Sequence, residues 1–259
     1  MRIQSSALLA LGTLFCLVAP LSAQTENKPK PQDTEVWEPV PKVVTPGATC
    51  GAAPSDAIVL FDGKNLDEWV SAQDHTPAKW LVADSILTVN KEKGVGNIET
   101  KRKFKNYQLH VEWRIPENIT GSDQARGNSG VFLMGLYEVQ VLDSYENKTY
   151  ADGQAAALYG QYPPLVNASL PPGQWQRYDI VFHGPRFDAS GKVLRHARVT
   201  VFHNGVLVQY EVQLTGPTAH GERPPYKVTP EKLPLGLQDH HTPVRYRNIW
   251  VRELKETAD

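Results

Sequence analysis

Cysteine is scarce in this chain. Two of its 259 residues are cysteines, Cys16 and Cys50, and Cys16 lies in an N-terminal stretch that reads as a cleaved export signal. The mature chain would then hold Cys50 alone, which excludes an intramolecular disulfide and leaves stability to packing. Cys50 is a poor nucleophile candidate, because its neighbours Thr49 and Gly51 supply no base. Excess charge of either sign is missing too. Lys and Arg number 27 against 28 Asp and Glu, a formal net charge of −1, so nothing points to a nucleic-acid partner. No Gly-rich loop of the P-loop or dinucleotide type is present. No His-x-His or His-x-x-x-His pair supports a zinc site.

Long hydrophobic runs are confined to the start. Arg2, the apolar stretch Ala7 to Ala19 and the small-residue end Leu21-Ser22-Ala23 form a secretory signal over residues 1–23. The run is too short to span a bilayer, so no transmembrane segment is expected in the mature chain. Cys16 lacks the small residues that should precede a lipid-modified cysteine. Residues 24–55 are rich in Pro, Lys, Thr and Gln without a period, and read as an exposed linker or a strap over the domain.

Residues 56–256 read as one β-domain. Apolar runs of about five to ten residues alternate with turns, and no 3.6-residue period is sustained. Strands are expected at Ala57–Phe61, Trp80–Val82, Ile86–Val89, Gly96–Thr100, Tyr107–Ile115, Gly130–Leu142, Trp175–Phe182, Ala197–His203, Val206–Glu211, Leu235–Gln238 and Val244–Leu254. Asn204-Gly205 between two alternating strands predicts a type I′ hairpin. At most a short helix is expected at Leu66–Val70 or within Asp152–Tyr159. So many short strands predict an all-β fold, a two-sheet antiparallel sandwich or jelly roll.

Acids and amides fall where strands more often carry filler. In Tyr137-Glu138-Val139-Gln140-Val141-Leu142-Asp143, Glu138 and Gln140 share one face and Val139 and Val141 the other. Asp143 is out of phase with Glu138 unless a bulge re-aims it. Two carboxylates and an amide on one face suit sugar chemistry; the same pattern also suits a solvated outer face. The strand Tyr107–Ile115 places His110, Glu112 and Arg114 together, and as a neighbour it would extend that polar patch. Asn128 and Ser129 precede Gly130, which allows close backbone approach. The loop after Gln238 holds Asp239, His240 and His241, and His240 suits acid or base work near neutral pH. The long connection from Tyr145 to Tyr162 is aromatic and polar, with Tyr159 among the rings able to stack on a sugar.

In order along the chain, Leu60-Phe61-Asp62-Gly63-Lys64-Asn65-Leu66 to Trp69, Glu112-Trp113-Arg114, Gly127-Asn128-Ser129-Gly130-Val131-Phe132-Leu133, Tyr137 to Asp143, Ala157-Leu158-Tyr159-Gly160, Pro172-Gly173-Gln174-Trp175, Val201-Phe202-His203-Asn204-Gly205 and Leu235 to Ile249 resemble a known family. That family, once called domain of unknown function 1080, is described as 3-keto-disaccharide hydrolase, or 3-keto-glucoside lyase and 2-hydroxy-glucal hydratase. The resemblance covers about Asp56 to Leu254. The basic-aromatic segments near Arg186–His196 and Gly216–Thr229 depart from its shortest members.

The resemblance implies a concanavalin A-like sandwich and a bacterial periplasmic or secreted protein. It also implies a glycoside or oligosaccharide substrate with a ketone at C3. Cleavage would proceed by loss of the C2 proton, elimination at C1 and hydration. The expected catalytic residues are Glu138 as base and Asp143 or His240 as acid. Glu112, Arg114, Asn128, Gln140, Tyr159 and Gln238 are expected to bind substrate. A divalent metal that polarises the ketone is conceivable, without a firm motif for it. The competing expectation is a non-catalytic glycan-binding module of lectin-like fold.

Overall fold

The computed structural model describes residues 28–256. The expected signal over residues 1–23 lies outside them. Residues 28–43 belong to a separate unit that holds a single 3-10 turn, Pro31–Thr34, in which Lys30 N donates to Asp33 Oδ2 at 2.8 Å. The second unit begins at Val44.

That second unit is the expected antiparallel sandwich. One sheet has the order Val206–Gln213, Arg198–His203, Gln176–His183, Asn106–Arg114, Arg245–Glu253, Ile86–Thr88, Leu81–Ala83, with Ile58–Phe61 also paired to Arg245–Glu253. The other has the order Trp69–Ser71, Ile98–Phe104, Leu233–Leu237, Ser129–Leu133, Tyr137–Val141. A two-stranded ribbon, Arg186–Phe187 with Val193–Arg195, stands apart from both. Period-two alternation fills the space between the sheets. Leu109, Val111 and Trp113 of the larger sheet and Val131, Val139 and Val141 of the smaller are all buried in one cluster.

The hairpin at Asn204-Gly205 forms as expected, with φ of 54° and 82° and His203 opposite Val206. One reading needs correction and two are narrowed. The run Gly130–Leu142 is two strands, because Met134 and Gly135 take φ of 52° and 63° and turn the chain back. The possible helix at Leu66–Val70 is a turn leading into the strand Trp69–Ser71, whose indole Nε1 donates to Leu60 O at 2.8 Å. Within Asp152–Tyr159 only a 3-10 turn forms, Ala151–Gly153.

Residues 44–55 pack with the sandwich. Gly51 O accepts from Asn248 Nδ2 at 2.9 Å and Trp250 Nε1 at 2.8 Å, and Cys50 Sγ accepts from Arg177 Nη1 at 3.0 Å. This stretch therefore straps the outer face of the larger sheet. Among the described residues, no helix is long and apolar enough to cross a membrane.

Candidate active site

The site forms on the outer face of the smaller sheet. Because Val131, Val139 and Val141 point into the core, their neighbours Gly130, Phe132, Glu138 and Gln140 point away from it. Phe132 lies opposite Glu138, and Gly130 opposite Gln140. Asn128 and Gln238 continue the same face at the ends of their strands, where Gln238 N donates to Gly130 O at 3.0 Å.

Two loops build the walls. The strand Tyr137–Val141 is an edge strand, and unpaired edge groups need partners. The segment 155–162 supplies them: Gln140 N donates to Ala157 O at 2.9 Å, Ala156 N to Gln140 O at 2.9 Å, and Tyr159 N to Glu138 O at 3.2 Å. Thr218 supplies the next, its Oγ1 accepting from Glu138 N at 2.9 Å while its own N donates to Leu136 O at 2.8 Å. Tyr159 and the turn 218–220 are thereby fixed beside Glu138. The result is a cleft of about 260 Å³, walled by Tyr159, Thr218, Ala219 and His220, with His240 at its rim and Phe132 in its floor.

Glu138 is the chemically exceptional group. Its side chain is 5% exposed, and among the described residues no cation pairs with it. Burial pushes its pKa from an ordinary 4.5 to about 8. With the Gln140 amide assigned nitrogen-inward, that nitrogen donates to Glu138 Oε1 and to Ser129 O, each at 3.1 Å. The carboxyl fits because residue 130 is glycine: a Cβ there would strike Oε1 and stand 2.9 Å from Cδ. Asn128 is anchored through Nδ2 to Gln124 O at 2.9 Å. Gln238 Oε1 is buried without a hydrogen-bond partner among the described residues.

The cleft thus gathers Glu138, Asn128, Gln140, Tyr159, Gln238 and His240, six of the expected site residues. Three others are elsewhere. Asp143 lies beyond the end of its strand, 2% exposed, with Oδ2 2.8 Å from Arg126 Nε. Burial raises its pKa against the pull of that guanidinium. No bulge turns it toward the cleft; the ion pair holds it to the loop at Arg126, whose carbonyl accepts from Asp143 N.

Glu112 and Arg114 are on the other sheet. Their strand does not neighbour Tyr137–Val141, so they extend a different surface. Glu112 accepts from Arg247 Nε at 2.6 Å and Asn248 Nδ2 at 2.8 Å, and lies 3.5 Å from His110 Nε2. Burial alone would raise the Glu112 pKa, but bonds from His110, Asn248 and Arg247 hold it at about 2. His110 also meets Asp179 at 2.7 Å and stacks on Trp250. Arg114 lies over the Trp175 ring, 4.6 Å from its centroid, and Arg247 lies 4.1 Å from the same centroid. Glu112 and Arg114 thus lie on the outer face of the larger sheet and do not line the cleft.

Sequence reasoning missed Phe132, Thr218, Ala219 and His220 as cleft residues. The last three fall in the segment Gly216–Thr229, which was notable only for departing from the family's shortest members. Among the described residues no three His, Cys, Asp or Glu side chains cluster so as to hold a metal ion.

A family model described as a 3-keto-alpha-glucoside-1,2-lyase-like domain matches residues 56–252. The chain belongs to that family. A curated 3-keto-disaccharide hydrolase from Bacteroides thetaiotaomicron is 27% identical over 159 residues, covering 49% of this chain and 52% of the relative. The chain thus spans about half the length of the curated relative it matches. A solved structure from Parabacteroides distasonis ATCC 8503, of a protein provisionally called a glycosyl hydrolase, is 47% identical. It superposes with a TM-score of 0.83 over 87% of this chain and 97% of that one. A second structure from the same organism, likewise provisionally named, shares the fold at 18% identity, with a TM-score of 0.55 over 77% of this chain and 94% of that one.

Proposed function

We propose that this chain cleaves 3-keto-glycosides, disaccharides among them, by elimination followed by hydration. The observation that carries this reading is Glu138, a buried carboxyl without a cation, among amides at the floor of a cleft. Family membership and the name of the curated relative support the same substrate class.

A ketone at C3 acidifies the proton on C2, and a carboxylate can remove it. A base works best when its pKa lies near the working pH; with a pKa of about 8 the Glu138 carboxyl ionises in a minority of molecules at neutral pH, and that carboxylate is a stronger base than an ordinary one. The Gln238 amide and the His240 imidazole would donate to the enolate oxygen, and the Asn128 amide oxygen would accept from a ring hydroxyl, while Gln140 holds Glu138 in place. Electrons of the enolate then expel the C1 substituent. Water adds to C1, Glu138 returns its proton to C2, and the net change is hydrolysis. Asp143 is paired with Arg126 and does not line the cleft with Glu138, which disfavours a two-carboxylate displacement on an unmodified sugar. The reaction would take place outside the cytoplasm, consistent with the export signal read over residues 1–23.

The test is to incubate the chain with 3-keto-trehalose and a 3-keto-β-glucoside in D2O. Product with deuterium at C2 supports the reading, and Glu138→Gln abolishes it. Turnover that survives that substitution refutes the base assignment. Sugar binding without turnover by the wild-type chain would establish a glycan-binding module instead.

A further inference from the structure

The cleft above Glu138 adjoins a wider compartment of about 480 Å³, and three residues border both: Tyr159, Ala219 and His220. A scissile C1–O bond joining a ring in the inner compartment to a leaving group in the outer one would lie at that border. Ala219 has no proton to give. The Tyr159 hydroxyl is bonded to Tyr150 Oη at 2.7 Å. His220 is exposed and makes no hydrogen bond or ion pair among the described residues. His240 borders the inner compartment but not the outer.

The turn that carries His220 is held in place. Thr218 ties it to Leu136 and Glu138, Ala219 bridges to Glu222, and Arg223 Nε donates to Gly160 O at 2.7 Å. The outer compartment combines apolar and charged surface, with Asp152 facing Arg223 at 3.6 Å and the exposed Tyr150 ring beside them. Such a wall suits a hydroxylated leaving group, with a ring to stack on its apolar face and charges for its hydroxyls.

We propose that His220 is the catalytic acid for the leaving oxygen, and that the outer compartment holds a sugar as the leaving group. This rests on the role given to Glu138 above. As Glu138 takes the C2 proton, the C1–O bond breaks with its electron pair going to oxygen, and the His220 imidazolium gives that oxygen a proton. The neutral imidazole then takes a proton from the water that adds to C1, while Glu138 protonates C2. Both groups return to their starting states with one water consumed. An imidazole can both give and accept a proton, as this alternation requires.

The test compares two substrates with one 3-keto-glucosyl ring, a disaccharide and a 4-nitrophenyl glycoside. The sugar leaves poorly without a proton, whereas 4-nitrophenolate leaves readily. His220→Gln should lower kcat/KM on the disaccharide by about 100-fold or more and on the nitrophenyl substrate by less than about tenfold. Tyr159→Phe and His240→Gln should lower both substrates by similar factors. Equal losses for His220→Gln on both substrates, or no loss, overturn the acid role. So does a leaving-group-dependent loss appearing in Tyr159→Phe. Wild-type turnover separates the two readings: if it is absent, the Glu138 chemistry fails and takes this proposal with it, whereas its presence with an indifferent His220→Gln sinks only the acid role.

Discussion

Replacing Glu138 with glutamine should make the folded chain more stable at neutral pH while removing turnover. In the unfolded chain this carboxyl ionises near 4.5; in the fold, burial holds it neutral to about 8. Folding above pH 4.5 therefore takes up a proton. A raised acid pKa weakens the fold as pH rises, at up to about 1.4 kcal/mol per pH unit, until the folded group itself ionises. From pH 5 to 8 the loss from this one group is on the order of 3–4 kcal/mol. Glutamine keeps the shape and does not titrate. The difference in unfolding free energy between variant and wild type isolates Glu138 from every other titrating group. Urea denaturation at pH 5, 6, 7 and 8 reads that difference directly, and it should grow with pH in favour of the variant. A difference that stays flat within about 0.5 kcal/mol would refute the claim that Glu138 is buried uncompensated. Solvent or a cation would then have to reach it.

Gly130→Ala should cut kcat/KM at least about tenfold with little change in KM, because its Cβ displaces the Glu138 carboxyl; unchanged kinetics would refute that contact. The two buried histidines should separate in an NMR titration. His203, which burial lowers to about 4, stays neutral until strongly acid pH, whereas burial lowers His110 but its bonds to Asp179 and Glu112 win and it holds its proton above the usual 6.5. The His110 contribution to stability is thus full below pH 6.5 and fades as pH rises through its folded pKa, and Asp179→Asn, which removes one of its two carboxylate partners, should reduce that fade. Glu112→Gln should destabilise the chain by about 2–3 kcal/mol at pH 7, with the difference vanishing as pH falls from 4.5 toward 2, as guanidinium denaturation at each pH would show.

Much of the fold was legible because its signals are local. Alternation of apolar and polar residues sorted Val139 and Val141 to the core and Glu138 and Gln140 to the outside. Asn204-Gly205 named its own hairpin, since both residues accept the positive φ that a type I′ turn needs. The turn at Met134-Gly135 escaped notice: methionine gives no turn signal, so two strands read as one.

Residue type and period thus determined, from the chain alone, that this is an antiparallel sandwich with a polar, acid-bearing strand. Only the tertiary structure decided what that strand faces. Period two tells which side of a strand a residue takes, but not which strand lies next to it, because sheet neighbours are set by long-range pairing. Glu112 and Arg114 share a pattern with Glu138 and Gln140 yet lie on a different sheet. Asp143, close to Glu138 in the chain, is drawn away by Arg126. His220, eighty-two residues on, comes to the cleft because an edge strand needed partners for Leu136 O and Glu138 N and the turn at Thr218 met both.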